Sequence, residues 1–431
     1  MALAVTVLLL VFLVLLALDV PVAFCIGAAT LASLLTVADP GPAVSTVAQQ
    51  LAGGLNSFTL LAIPFFILAG NLMAHGGIAQ RLIAFARSLV GALPGGLAFV
   101  NIISSMLFGA ISGSAIAAAA AIGGVMHPKM TEAGYDEGFS AAVNVSAATT
   151  GLIIPPSNVL IVYSLASGGV SVAALFVAGY VPGLLLGGAL MLVAGIVAKR
   201  NGYGTDERVP LAEVGRRFVD ALPSLGLIVV VIGGIVAGIF TATEAAAIAV
   251  IYALVLSVGV YRAVSVRDLG DVILRAVVTT SVVMLLVATS MALSWVLSFD
   301  RIPQGVAEGL VGLSENPIVL LLLINLVLLA VGTFMDMTPA ILIFTPIFLP
   351  VAVGLGIDPL HFGIIMVLNL CIGLCTPPVG TVLFAGCGVA GVPVSRIVRP
   401  LLPLYVAMLV ALAVVVLVPE LTLALPRAFG L

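Results

Sequence analysis

Two double prolines interrupt otherwise apolar stretches of this chain, at Gly151-Leu-Ile-Ile-Pro155-Pro156 and at Gly373-Leu-Cys-Thr-Pro377-Pro378. Proline removes a backbone donor and clashes with the preceding turn, so each pair ends a helix. Hydrocarbon supplies no water to the freed carbonyls, and such a break survives only where protein buries it or where it lines a cavity. The pairs lie 377 − 155 = 222 residues apart, about half of the 431-residue chain. Corresponding breaks in two halves of a membrane chain point to a transporter's binding site.

The membrane setting follows from composition. Hydrophobic residues make up 62% of the chain, charged residues 8%, and the mean hydropathy is +1.36, which excludes a soluble fold. The first apolar run, Leu3 to Leu18, has no basic residue ahead of it and no small-x-small cleavage site before Val20, so it reads as a retained helix. A net charge of −3 spread over short loops argues against nucleic-acid binding. Cys25, Cys371, Cys375 and Cys387 all fall in apolar segments, where disulfides are not expected. Cys371 and Cys375 share a helix face, but without a His or carboxylate they read as packing residues rather than metal ligands.

Spanning runs fall at about 3–18, 20–37, 58–75, 138–168, 172–198, 222–240, 242–260, 276–298, 361–390 and 396–418, which gives ten crossings. Two further stretches, about 94–127 and 316–349, are interrupted at Ile111-Ser-Gly-Ser114 and Thr333-Phe-Met-Asp336, and read as re-entrant hairpins with tips inside the membrane. A shift of 222 superposes the halves without gaps. Pro128 falls on Pro350, Gly134 on Gly356, Asp136 on Asp358, Gly151-Leu152 on Gly373-Leu374, and the tip residue Ser114 on Asp336. The expected fold is therefore an all-α polytopic membrane protein with two repeats, 1–209 and 210–431.

Charge placement orients the repeats, because basic loops stay cytoplasmic. Lys199, Arg200, Arg208, Arg216 and Arg217 follow the span 172–198, whereas Arg396 and Arg399 open its counterpart 396–418. Opposite biases require inverted halves, with both termini periplasmic. The polar segments 43–56 and 264–275, the latter with Arg267 and Arg275, read as arm helices on opposite membrane faces. For 43–56 a solvated loop is the alternative, given Pro42 and Gly53-Gly54.

Each half thus brings one hairpin tip and one broken helix to the midplane. Unpaired N–H groups at a helix start favour anions, and unpaired carbonyls at a helix end favour cations. The candidate substrate residues are Ser112, Gly113, Ser157, Asn158, Thr376 and Gly380. The candidate Na⁺ ligands are Ser114, Thr150, Pro155, Asp336, Thr338, Asn369 and Pro377, a hard-oxygen set of hydroxyls, amides and bared carbonyls. Isolated membrane Ser and Thr more often bond the preceding turn. Asp336 stands out, since a carboxylate in an apolar stretch costs several kcal/mol unless paired or solvated. Glu244 reads as a helix cap or interdomain partner, and His127 and His361 as structural groups at the membrane boundary that could also gate protons. No basic residue falls in a tip or break, so a bound anion needs helix starts and cations.

Gly109-Ala-Ile-Ser-Gly-Ser114, Gly134-Tyr-Asp, Ile154-Pro-Pro-Ser157, Phe240-Thr-Ala-Thr-Glu-Ala245, Phe334-Met-Asp336 and Thr376-Pro-Pro-Val-Gly380 together resemble the large membrane subunit of tripartite ATP-independent periplasmic (TRAP) transporters, in the ion-transporter superfamily. The resemblance runs over essentially the full length; a proline common near Ala242 is missing. It implies an elevator-type secondary transporter of a bacterial inner membrane that imports an organic acid, such as a dicarboxylate, another carboxylate or sialic acid. It further implies Na⁺ as coupling ion, no other cofactor, a separate small membrane subunit of about four helices, and a periplasmic binding protein. A single-component organic anion carrier of the same superfamily is the close rival. An intramembrane hydrolase lacks a second carboxylate near Asp336 and a Ser–base pair, and two occluding hairpins suit alternating access better than a passive channel.

Overall fold

Apolar runs without strand-like alternation form helices, and the computed structural model, which describes residues 2–204, 209–312 and 316–431, has no strand among them. The first half holds α1 (Ala2–Ala17), α2 (Val22–Leu34), α3 (Pro40–Leu55), α4 (Ala62–His75), α5 (Ile78–Val90), α6 (Gly96–Ser112), α7 (Ala115–Glu132), α8 (Glu137–Thr150), α9 (Asn158–Ala166) and α10 (Val172–Asn201). The second holds α11 (Leu211–Val236), α12 (Ala242–Leu254), α13 (Leu269–Phe299), α14 (Ile302–Val311), α15 (Pro317–Gly332), α16 (Met337–Gly354), α17 (Pro359–Gly373), α18 (Thr381–Ala390), α19 (Val394–Leu417) and α20 (Glu420–Ala428). Among the described residues, seven helices are long and apolar enough to cross a membrane, and shorter apolar helices include α6, α15, α17 and α18 beside the breaks. The breaks fall where the sequence places them: α6 gives way to α7 at Gly113-Ser114, α15 to α16 at Thr333–Asp336, and the two cis Pro-Pro pairs separate α8 from α9 and α17 from α18.

Three elements differ from the sequence reading. The segment 264–275 is not a separate arm helix: after a turn at Ser265–Asp268, α13 runs unbroken for 31 residues. Nothing around Arg275-Ala-Val-Val278 terminates a helix, whereas its counterpart α3 ends at Gly53-Gly54-Leu55 and yields to a 3₁₀ turn, Phe58–Leu61, before α4. α3 itself is a helix and not a solvated loop. Two amphipathic helices, α5 and α14, were not expected at all. They precede the two hairpins at corresponding places, and α5 buries Ile78, Ala79, Leu82, Ile83 and Ala86 on one face.

Ring and ion contacts fix the directions of the helices. Tyr203, just past the end of α10, stacks on Tyr135 with 4.4 Å between centroids, and Glu137 at the start of α8 pairs with Arg396 at the start of α19 at 2.9 Å. The end of α10 and the starts of α8 and α19 therefore share one face of the molecule. On the other face, Tyr163 of α9 donates to the Pro359 carbonyl at the start of α17 (2.6 Å), and the His361 ring meets the Thr422 hydroxyl past the end of α19 (2.8 Å). Hence α10 and α19, whose first residues are 394 − 172 = 222 apart, run in opposite directions, as do α8 and α17. Arg208, which the sequence groups with the basic loop after α10, lies outside the described residues.

Association inside a membrane gains nothing from burying apolar surface, so small residues that allow close backbone approach hold the bundle together. The same device occurs in both halves. A Cβ on Gly109 of α6 would come within 2.8 Å of Gly151 Cα, and a Cβ on Gly373 within 2.6 Å of Gly332 Cα. Each crossing presses a hairpin arm onto the last turn before a Pro-Pro break. Gly151→Ala is expected to lower the thermal stability of the detergent-solubilised protein by about 1–3 kcal/mol through overpacking. Gly233→Ala, in α11 with no neighbour within 4 Å of the new methyl, leaves the melting temperature unchanged or slightly raised in the same assay.

Candidate functional site

The tip of the first hairpin, the start of α9 and the start of α16 converge on one cavity of about 240 Å³. Ser112, Gly113, Ser114 and Asn158 come to it from the first half, and Asp336 and Thr338 from the second. Residues at three helix starts, those of α7, α9 and α16, line this space, and the first-turn N–H groups of a helix lack intrahelical partners. Ser114 caps α7 by accepting from Ala117 N–H at 3.2 Å. Gly113 has φ +62°, open to glycine, and a Cβ there would meet Asn158 Nδ2 at 2.8 Å, so the tip seats directly on the broken helix. The Oδ1 of Asn158 is buried with no hydrogen-bond partner among the described residues.

Asp336 precedes α16 and is open to the cavity. None of the ion pairs among the described residues engages it, and no Lys, Arg or His lines the cavity. A carboxylate, the three hydroxyls of Ser112, Ser114 and Thr338, and an unpartnered amide oxygen form an acceptor-rich set that fits a hard cation. The helix starts in the same space fit a carboxylate.

The remaining candidates stand behind this surface. The Ser157 hydroxyl donates to the Leu152 carbonyl within the break, and Thr150 and Thr376 donate to carbonyls of the preceding turn, Ala147 at 2.6 Å and Ile372 at 2.8 Å. Asn369 donates to both the carbonyl and the side-chain oxygen of Asn325, at 2.8 Å each. Gly380 N–H donates to Thr333 O at 3.0 Å, which ties the second break to the second tip. Pro155 and Pro377 form the cis bonds of the breaks and do not line the cavity. His127 bonds Ser140 at 3.0 Å, and Glu244 closes a capping box with Thr241 at the start of α12.

α4 and α13 supply the opposite wall, which sequence reasoning missed. Asn71 and Thr279 line it, yet each donates to a carbonyl of its own preceding turn, Ile67 and Arg275, both at 3.0 Å. An isolated polar residue in an apolar helix carries no mark distinguishing it from such back-bonding. Gly70 is the point of closest approach: a Cβ there would lie 2.6 Å from the Ser112 carbonyl oxygen at the hairpin tip.

Comparison with known proteins places this architecture. A family model described as "Tripartite ATP-independent periplasmic transporter, DctM component" matches residues 9–421. The chain is 56% identical to the YgiK protein of Salmonella typhimurium over 97% of this chain and 96% of that one. It is 40% identical to the sialic acid TRAP transporter large permease SiaM of Vibrio cholerae, over 95% of each. It is 39% identical to the C4-dicarboxylate TRAP transporter large permease DctM of Rhodobacter capsulatus, over 95% of this chain and 96% of that one. A crystal structure of the YdaH transporter of Alcanivorax borkumensis, described as having an unusual topology, superposes with a TM-score of 0.64 over 88% of each chain at 16% identity, which bears on the fold alone. Matches across nearly the whole length mean that this membrane chain belongs to the DctM family, the large permease subunits of tripartite ATP-independent periplasmic transporters.

Proposed function

We propose that the chain is the permease of a Na⁺-coupled importer of a small organic acid, working by alternating access. The observation that carries this reading is a cavity lined from both halves, with one carboxylate, several hydroxyl and amide groups, residues at three helix starts and, among the described residues, no basic side chain. In such a space an anion is held by backbone N–H groups and by a cation bound beside it, which makes uptake depend on that cation. Ser112, Gly113 and Asn158 face the substrate, with Ser157, Thr376 and Gly380 holding the breaks in shape. Ser114, Asp336 and Thr338 offer oxygens to Na⁺ at the cavity, and Thr150, Asn369 and the carbonyls near Pro155 and Pro377 complete two related cation sites, one per half.

The opposite directions of α10 and α19 and of α8 and α17 support inverted repeats over 1–209 and 210–431. In this reading the hairpins and broken helices move as one body against α4 and α13, in the manner of an elevator, in a bacterial inner membrane with both termini periplasmic. A separate small membrane subunit braces the fixed part, and a periplasmic binding protein delivers the acid. The names of SiaM and DctM support an organic acid as substrate. A cavity of about 240 Å³, below the ~300–1,000 Å³ usual for drug-sized ligands, favours a small one.

Reconstituted uptake with and without a Na⁺ gradient, with the cognate binding protein loaded with candidate acids, tests the reading. Asp336→Asn is expected to raise the Na⁺ concentration for half-maximal uptake at least about tenfold, the equivalent of ~1.4 kcal/mol, with normal expression and folding. Ser157→Ala, which loses one buried hydrogen bond of about 1 kcal/mol, lowers Na⁺-dependent uptake roughly fivefold. Unchanged Na⁺ dependence in both variants removes the site assignment. Full uptake without any binding protein instead selects the single-component carrier.

A further inference from the structure

The two walls of the central cavity differ in which hydrogen-bonding groups they leave free. On the hairpin side the Ser114 hydroxyl accepts from Ala117 N–H, so its own proton remains available. First-turn N–H groups of the adjoining helices add donors there, and Asp336 and the unpartnered Oδ1 of Asn158 supply oxygens for a cation. On the α4–α13 side the donors are largely spent. Thr279 gives its single hydroxyl proton to the Arg275 carbonyl at 3.0 Å and keeps only lone pairs. Asn71 gives one of its two amide protons to the Ile67 carbonyl at 3.0 Å, and its Oδ1 accepts from no group among the described residues. Ile63, Ile67 and Val283 add apolar surface to the same wall.

This division decides what each end of a bound acid can be. A carboxylate only accepts, so at the α4–α13 wall it meets lone pairs and loses the hydrogen bonds that water gave it. A hydroxyl group brings the proton that Thr279 Oγ1 and Asn71 Oδ1 lack. Charge restricts the substrate in the same direction. With two Na⁺ bound, as proposed above, one carboxylate and Asp336 balance the cavity, whereas a second carboxylate leaves a negative charge uncompensated where no basic side chain lies among the lining residues.

We propose that the cavity selects a hydroxylated monocarboxylate, with Asn71 and Thr279 as its specificity-determining residues. The carboxylate lies at the helix starts beside the cation, and hydroxyl groups along the carbon chain donate to Thr279 Oγ1 and Asn71 Oδ1. This substrate class rests on the Na⁺-coupled transport function proposed above. A site built around such hydrogen bonds rejects the analogue without the hydroxyl groups, because its own polar groups are then left unpaired in a desolvated space. The cavity of about 240 Å³ limits the chain to a short one.

Direct binding tests it without transport. The full chain in nanodiscs is titrated in NaCl and in choline chloride with straight-chain acids of three to six carbons, in four matched forms: alkanoate, aldonate, alkanedioate and aldarate, the hydroxylated ones as every stereoisomer. Affinity is read by calorimetry and from the ligand-induced rise in melting temperature. In NaCl at least one aldonate is expected to bind, with the alkanoate, alkanedioate and aldarate of its length at least about tenfold weaker. Thr279→Val and Asn71→Leu, which keep side-chain volume, each lower aldonate affinity about fivefold and leave alkanoate affinity unchanged, while Thr279→Ser retains the wild-type value. Melting temperatures without ligand check that the variants fold. An aldonate-to-alkanoate ratio unchanged in both variants overturns the proposal, as does the absence of any aldonate binding. A diacid that binds in NaCl as tightly as the best aldonate also overturns it, yet leaves Na⁺-coupled organic acid transport standing. Aldonate preference of equal strength in choline chloride instead counts against the Na⁺ coupling alone.

Discussion

Every buried backbone group in a membrane needs a partner, and in this molecule that requirement is most severe at the two Pro-Pro breaks. The fold satisfies it by pressing a hairpin onto each break. Gly109 against Gly151 and Gly332 against Gly373 let the backbones approach closely enough that the interrupted turns are enclosed by protein rather than lipid. The rest of the local structure depends on these crossings. Gly380 N–H reaches Thr333 only because the second hairpin is docked, and Gly113 rests on Asn158 only because the first one is. Remove the close approach, and the bared carbonyls and helix starts that define the cavity lose their enclosure.

The two halves use this device alike but contribute unequal chemistry. The first half brings hydroxyls and an amide to the cavity, and the second brings the carboxylate Asp336. Ser114 and Asp336 occupy corresponding positions under the 222-residue shift, and both precede the first residue of a hairpin's second helix. One caps its helix, and the other opens into the cavity as a charge. Under the proposed function, this inequality sets helix starts, which favour an anion, beside a carboxylate, which favours a cation.

Much of this was legible in the sequence because proline, glycine and charge are conspicuous in an apolar chain. The breaks, the tips and the standing of Asp336 all follow from residues that hydrocarbon does not tolerate without a reason. What was not legible concerns side-chain direction and helix continuity. Thr150 and Thr376 lie next to the breaks in sequence yet turn back to their own helices, and Asn71 and Thr279 lie far from any break yet face the cavity. α5 and α14 escaped notice because an amphipathic helix carrying arginine or glutamate resembles a loop when hydropathy is averaged. The continuation of 269–275 into α13 depends on the absence of a breaker, which leaves no mark in the sequence.

That continuity makes the wall opposite the hairpins mechanically unequal. On one side α13 is a continuous rod of 31 residues, about 46 Å long, well beyond the ~30 Å hydrocarbon layer. On the other, α3 and α4 are separate pieces joined through Asn56, Ser57 and a 3₁₀ turn. A load applied at the hairpin tips therefore meets a strut on one flank and a joint on the other. In the proposed transport motion, displacement concentrates at residues 56–61 while α13 stays straight, so that the body of hairpins and broken helices swings about the rod rather than sliding evenly between two equal rails.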